Sequence, residues 1–287
     1  MSLPYSSFAH PNKKQDEEFI DDVIDIDKED EEEQDVIYDL SAKQIMGEYK
    51  PEVNTLEVPN GYPKGANVGN ALHAIFEVVD FTNLNDEQLI NIIEQSFKKE
   101  GLKNDGVNYT KTLINNTINA LLPIVKGNEV KEGYFKLAEI TNKDRKSEIE
   151  FNYNYPNEVL KNYLTGAIDL VFRRGDVYSV LDWKSDTLND DFLSYSDADE
   201  LKKQVDKRYS IQRVLYSYCL VKWLKQYYNK DEEEIFNNHF GGIYYAFIRG
   251  CNENTSNGIY VQTWNSWKDL EKEFNKILFE AKKGVNK

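Results

Sequence analysis

The chain has 287 residues, of which 40 % are hydrophobic and 13 % aromatic, and it carries a net charge of −15. That provides a sizeable core for one large domain or two small ones. No apolar run approaches the ~20 residues of a membrane span, no signal peptide is expected, and the two distant cysteines, Cys219 and Cys251, exclude an iron–sulfur cluster, a zinc ribbon or a disulfide framework and fit a cytosolic protein.

The charge is concentrated. Between Asp16 and Asp35, thirteen acidic residues stand against one Lys, and the rest of the chain carries only −3. The acidity therefore does not exclude a nucleic acid as partner. Residues 1–45 read as an acidic, flexible N-terminal linker, whose few apolar residues (Phe19, Ile20, Val23, Ile24, Ile26) would at most dock on another surface. Residues 46–287 read as one domain. Pro and Gly mark a loop from Pro51 to Gly69.

A helix is expected from about Asn70, with Leu72, Ile75, Phe76 and Val79 as its apolar stripe. His73, Glu77 and Asp80 form a second line at i, i+4 and i+7. Helices are also expected over Asn85–Lys99, with Asn85 as N-cap, and over Tyr109–Val125. The apolar period then drops to two, predicting strands at Phe135–Ile140 and Glu148–Tyr155.

The densest signal follows. Tyr163–Phe172 and Asp176–Ser185 are two apolar, β-branched runs joined by a turn at Arg173–Asp176, a β-hairpin. Alternation puts Ala167, Asp169 and Val171 on one face of the first strand and Ile168, Leu170 and Phe172 on the other. On the second strand Val180, Asp182 and Lys184 share a face, with Leu181 and Trp183 opposite. Isolated charges buried in such strands cost several kcal/mol, as an order of magnitude, unless paired or bound to metal.

Asn189–Lys203 reads as a mobile polar loop, and a long helix is expected from Lys207 to about Tyr227, with Gln212 and Tyr216 on one face. Lys202, Lys203, Lys207, Arg208 and Arg213 suggest a modest basic patch beside it. Gly241–Arg249 and Gly258–Thr263 read as strands, and Trp267–Ala281 as a closing amphipathic helix.

Hard oxygen ligands select Mg²⁺ or Mn²⁺ over zinc. A site of Asp169, Asp182, Glu148 and His73 would hold one or two such ions. Lys184 would face the scissile phosphate or the attacking water, and Gln212 and Tyr216 would orient phosphate or water. No glycine-rich loop followed by Lys-Ser or Lys-Thr points to an ATP site within this chain.

Gly166-x-x-Asp169, Asp182-x-Lys184 and Gln212-x-x-x-Tyr216, in that order, resemble the PD-(D/E)XK nuclease superfamily, specifically its RecB-like branch. Pro63–Phe81 resembles the RecB segment that supplies a histidine metal ligand, here His73. Glu148–Phe151 resembles its acidic strand, with Glu148 the counterpart and Glu150 the reserve, Gly241–Gly250 its late strand, and Pro4–Phe8 its opening. Trp183 stands where relatives often have Tyr, and the Asp16–Asp35 block is unusually acidic. The resemblance implies an α/β, restriction-endonuclease-like core with a central mixed β-sheet flanked by helices. It also implies metal ligation by His73, Asp169, Asp182, Glu148 and the backbone carbonyl of Trp183. The activity implied is that of the Mg²⁺-dependent exonuclease domain of a RecBCD-type helicase–nuclease, an exonuclease V beta subunit. Such enzymes act in the cytoplasm on single strands unwound from linear duplex ends during recombinational repair. Its implied partners are DNA, the helicase domain, the other subunits of the complex and the RecA recombinase. An AddA-type nuclease domain and a non-catalytic module binding DNA or recombinase are the alternatives.

Overall fold

A computed structural model describes residues 62, 64–155, 162–188 and 192–285, together with the backbone of 23–25. The Pro4–Phe8 segment, most of the acidic stretch and the loop over residues 51–61 lie outside the described residues. The centre is a six-stranded mixed sheet organised on β5, Asn162–Arg174. β4, Arg145–Tyr155, runs antiparallel along one edge of β5. β6, Val177–Lys184, pairs antiparallel with the distal half of the other edge, from Leu170↔Leu181 to Arg174↔Val177. The short β1, Val23–Asp25, lies parallel to β5 at Tyr163–Thr165. Beyond β6 come β7, Phe240–Phe247, parallel to it, and β8, Ile259–Gln262, antiparallel to β7.

Each face of the sheet is buried under its own helical layer. One layer is α1, Ala66–Val78, α2, Asp86–Lys99, and α3, Val107–Ile118, with the hairpin of β2, Leu122–Lys126, and β3, Glu129–Phe135. These pack with Leu170, Phe172, Leu181, Trp183 and Tyr244 of the sheet. The other layer is α4, Ala198–Arg208, α5, Ser210–Tyr228, α6, Glu232–His239, and α7, Trp267–Val285. It covers Val171, Val180, Ile243, Tyr245 and Phe247. No helix among the described residues is long and apolar enough to cross a membrane.

Helix α1 forms because Val68, Ala71, Leu72, Ile75 and Phe76 recur at i, i+3, i+4, i+7 and i+8, and all five are buried. It starts four residues before Asn70 and stops at Val78, so Asp80 lies beyond it and bonds instead to Thr82. The line His73–Glu77–Asp80 is therefore not a continuous helical face. Asn85 caps α2 as expected, accepting from the N–H groups of Glu87 and Gln88.

Other boundaries move. The expected Tyr109–Val125 helix ends at Ile118, and its last apolar residues form β2. The strand expected at Phe135–Ile140 lies earlier, as β3, and is followed by a 3₁₀ turn at Leu137–Glu139. The polar stretch after Asn189 is not all loop: Asp197 caps α4 through the N–H groups of Asp199 and Glu200. The single helix expected from Lys207 is broken at Tyr209, whose φ of −124° and ψ of 18° separate α4 from α5. At Gly242 the backbone has φ +81°, and a Cβ there would stand 2.9 Å from the carbonyl of Gln262, so β7 approaches β8 more closely than a side chain permits.

Candidate metal and nuclease site

The site lies where β5 and β6 part. Their register continues in principle from Leu170↔Leu181 to Asp169 opposite Asp182, but the ladder ends one pair earlier. The backbone N–H of Trp183 is taken up by the Asp169 carboxylate, Oδ2 at 2.7 Å. On the far edge, Glu148 stands opposite Asp169 in the β4–β5 register and is skipped in the ladder, with a left-handed φ of +48°. That conformation is costly for a residue with a Cβ.

The alternation of β5 is out of phase across this point. Leu170 and Phe172 pack under α1–α3, whereas Ile168 belongs with Phe151 and Tyr216 to the core on the α5 side. This corrects the expectation that Ile168, Leu170 and Phe172 share a face. Its physical cause is the irregularity at Glu148 and Asp169, which turns the sheet at the position where three acidic residues meet.

Helix α1 brings His73 to this gap. Phe76, three residues on, stacks on Trp183 with ring centroids 4.0 Å apart and planes 11° from parallel. His73 Nε2 lies 3.1 Å from the Trp183 carbonyl oxygen, and Nδ1 lies 3.5 Å from Asp169 Oδ1. Ligand atoms of His73, Glu148 and Asp169 all fall within 4.8 Å of one another. Donors around an octahedral Mg²⁺ at ~2.1 Å are separated by roughly 3 to 4 Å. The donor set, with the Trp183 carbonyl beside it, thus fits a hard divalent cation. Glu150 is placed opposite Ala167 and is not part of the cluster.

Asp182 is buried on the other side of the gap, with Oδ2 2.7 Å from Lys184 Nζ, and both side chains are under a tenth exposed. Burial, reinforced by the Asp169 carboxylate and opposed by Lys184, pushes Asp182 up to about 7. Burial would push Asp169 up as well, but His73, Lys184 and the Trp183 N–H hold it below the usual range. Burial opposes protonation of His73, yet the Asp169 and Asp182 carboxylates override it and raise the imidazole to about 9. Burial and the Asp169 carboxylate leave Asp182 reluctant to ionise despite Lys184 and His73, and a divalent ion would remove that reluctance.

Gln212 and Tyr216 reach β5 from α5. Gln212 Nε2 donates to the Tyr216 hydroxyl at 3.1 Å, and that hydroxyl donates to the Ala167 carbonyl at 2.7 Å. They brace β5 two residues before Asp169. The basic patch is largely neutralised: Lys202 and Arg213 pair with Asp206, Lys203 with Glu200, Arg208 with Asp186, and Arg213 also with Glu273. Sequence reasoning missed Tyr209, whose ring centroid is 3.7 Å from Lys184 Nζ. A Tyr-Ser pair before Gln212 was its only local sign.

A family model described as the PD-(D/E)XK nuclease superfamily matches residues 9–285. The chain is similar to the RecBCD enzyme subunit RecB of Haemophilus influenzae, 28 % identical over 223 residues, covering 73 % of this chain and 18 % of that protein. It is 25 % identical over 235 residues to RecB of Escherichia coli, covering 72 % and 19 %. It is 32 % identical over 240 residues to RecB of Buchnera aphidicola subsp. Baizongia pistaciae, covering 74 % and 19 %. The chain spans less than a fifth of the length of these relatives. With a mixed sheet flanked by helices and the Asp169–Asp182–Lys184 set at its parting strands, the chain belongs to the PD-(D/E)XK nuclease superfamily, as a RecB-like nuclease domain.

Proposed function

We propose that this chain is the Mg²⁺-dependent DNA exonuclease domain of a RecBCD-type helicase–nuclease. In this reading it hydrolyses phosphodiester bonds in single strands unwound from linear duplex ends during recombinational double-strand break repair. The observation that carries the reading is the convergence of His73, Glu148, Asp169 and the Trp183 carbonyl beside the Asp182–Lys184 pair.

His73, Asp169, Glu148 and the Trp183 carbonyl would hold the ion, with Asp182 completing the set once ionised. Mg²⁺, or Mn²⁺ in its place, supplies Lewis acidity, neutralising phosphate charge and making nearby water more acidic. Lys184 holds a positive charge against Asp182 at the gap, where negative charge grows on the attacked phosphate. Tyr216 and Gln212 keep β5, and with it Asp169, in place. ATP would be handled by a helicase portion outside this chain. The other subunits, RecA and a cytoplasmic setting belong to the same proposal, which the similarity to RecB supports.

The test is degradation of end-labelled linear single-stranded DNA in Mg²⁺, with an EDTA control and Asp182→Ala protein alongside. Metal-dependent degradation lost in the variant is the expected result. Metal binding lost in the variant without any cleavage by the parent would mean a site that works only with its helicase. Neither binding nor cleavage would favour a non-catalytic module of the same fold.

A further inference from the structure

Lys184 ends β6, and three residues near its ammonium are set by different parts of the fold. Asp182 is on the same strand, with Oδ2 at 2.7 Å. Tyr209, at the break between α4 and α5, lays its ring against the ammonium at 3.7 Å. Tyr245, opposite Asp182 on β7, lies 5.9 Å from it and stacks on Tyr209 with centroids 5.7 Å apart.

The break at Tyr209 makes this possible. Val205 accepts the Tyr209 N–H at 2.9 Å as the last turn of α4, and Arg213 donates back to the Tyr209 carbonyl at 3.0 Å as α5 begins. The ring is fixed at its far end as well. Its hydroxyl donates to Asp186 Oδ2, and Arg208 Nη1 donates to Oδ1 of the same carboxylate at 2.6 Å. Asp186 is two residues beyond Lys184, and its own carbonyl accepts from Tyr195 at 2.9 Å. The helix junction is thus tied to the chain just beyond β6, two residues past Lys184.

We infer that Tyr209 is a positioning residue for Lys184: its ring, clamped by Asp186, confines the ammonium to the Asp182 side of the gap, where it meets the reacting phosphate. A desolvated cation over a tyrosine face is held electrostatically by the ring quadrupole. A flexible four-carbon stem without that face would sample other directions. The inference rests on the proposed nuclease reading for its kinetic consequence only, because the geometry is measurable without activity.

Two measurements on the full chain test it. The first labels lysine at the ε-carbon and assigns Lys184 by its loss in Lys184→Arg protein. A ring 3.7 Å away shifts the ε-protons upfield, so the shift is expected in the parent and in Tyr209→Phe, and is expected to collapse in Tyr209→Leu. An unshifted Lys184 resonance in the parent overturns the inference outright, whether or not any variant folds and whether or not the chain cuts DNA. The second measures cleavage in folded variants. Tyr209→Leu should lower kcat by on the order of tenfold with KM unchanged, the size of one cation–π contact, while Tyr209→Phe stays within about threefold because the ring remains. Equal losses in both variants would assign the effect to the hydroxyl's structural tie and overturn the ring's role. A parent with the shifted resonance but neither metal binding nor cleavage would leave Tyr209 holding Lys184 and count against the nuclease reading alone.

Discussion

From Leu170 to Arg174, β5 holds β6 in a continuous antiparallel ladder, and the pairs Leu170–Leu181 and Val171–Val180 are sealed under helices on the two faces. One pair further along the same strands, Asp169 and Asp182 face each other and the ladder stops. Backbone propensity alone does not stop the ladder, since Ile168 and Trp183 at the open end favour strand as Val171 and Val180 do at the closed end. What differs is that two carboxylates cannot be packed as Leu and Val are. The strand N–H of Trp183 turns to the Asp169 side chain, Glu148 adopts φ +48°, and His73 enters from one helical layer while Tyr209 enters from the other. The hairpin spends its regular half on stability and leaves its irregular half for chemistry.

The comparison is broken most severely at the open end. Asp169→Ala removes the carboxylate that faces His73, belongs to the three-donor cluster and takes the Trp183 N–H. Cleavage should fall on the order of a thousandfold, the scale of losing electrostatic stabilisation of the reacting group. Quantitative digestion of labelled single strands against Mg²⁺ concentration checks it. Activity restored by raising Mg²⁺ would show that Asp169 contributes affinity and little else.

At the closed end the same logic predicts the opposite symptom. Leu181 is fully buried among Phe172, Trp183 and the α1–α3 layer. Leu181→Ala should cost about 2–5 kcal/mol of folding stability, read as a lowered urea midpoint with unchanged slope. Under conditions where the variant remains folded, its kcat should stay near that of the parent. A large loss of kcat there would mean that the two halves of the hairpin are not separable.

Much of this division is legible in the amino-acid order, because side chains alternate along strands. Asp169, Asp182 and Lys184 are recognisable as charges in otherwise apolar runs, and the stripe of α1 points to His73 on its border. What local pattern does not carry is the slip at Glu148, since a left-handed glutamate is imposed by its surroundings rather than by propensity. Nor does it carry the break at Tyr209, since Lys207–Tyr227 reads as one uninterrupted helix. Leu122–Val125 continues a helical spacing yet ends as β2, because pairing with β3 and contact with β7 override it. In sequence the basic residues of α4 and α5 form a patch, and only the fold brings Asp186 and Glu273 to Arg208 and Arg213.

The open end should also be the more pH-sensitive. Asp182 is raised from the usual carboxylate range to about 7, and His73 from 6.5 to about 9. For both, the folded state binds the proton more tightly than the unfolded chain. Their contribution to stability is therefore fully present below the unfolded value and is lost as pH rises through the folded value, from about 4 to 7 for Asp182 and from about 6.5 to 9 for His73. Metal binding displaces these same protons, so affinity should rise across the window. Thermal melts in EDTA and in Mg²⁺ at pH 6 and pH 9 should show the larger metal-induced rise at pH 9. In His73→Gln the difference between melts at pH 7 and pH 9 should shrink to the part that Asp182 contributes, and its undiminished survival would place the proton elsewhere.

The smallest expected effect sharpens the comparison most, because it asks whether the open end is held in place or merely left over. The Tyr216 hydroxyl spans α5 and β5, donating to the Ala167 carbonyl at 2.7 Å and accepting from Gln212 at 3.1 Å. Tyr216→Phe keeps the buried ring and its edge contact with Phe151 while leaving that carbonyl without this donor, which costs about 1 kcal/mol. If the brace fixes Asp169, two residues along, then Mg²⁺ affinity should weaken by about twofold to fivefold, the lower part of the range seen when groups that orient ligands are lost. Calorimetric titration of Mg²⁺ or Mn²⁺ beside a urea melt separates the possibilities. A stability loss with unchanged metal affinity would make Tyr216 a packing residue, and the irregular end of the hairpin would then be held by His73, Glu148 and the Trp183 backbone without help from α5.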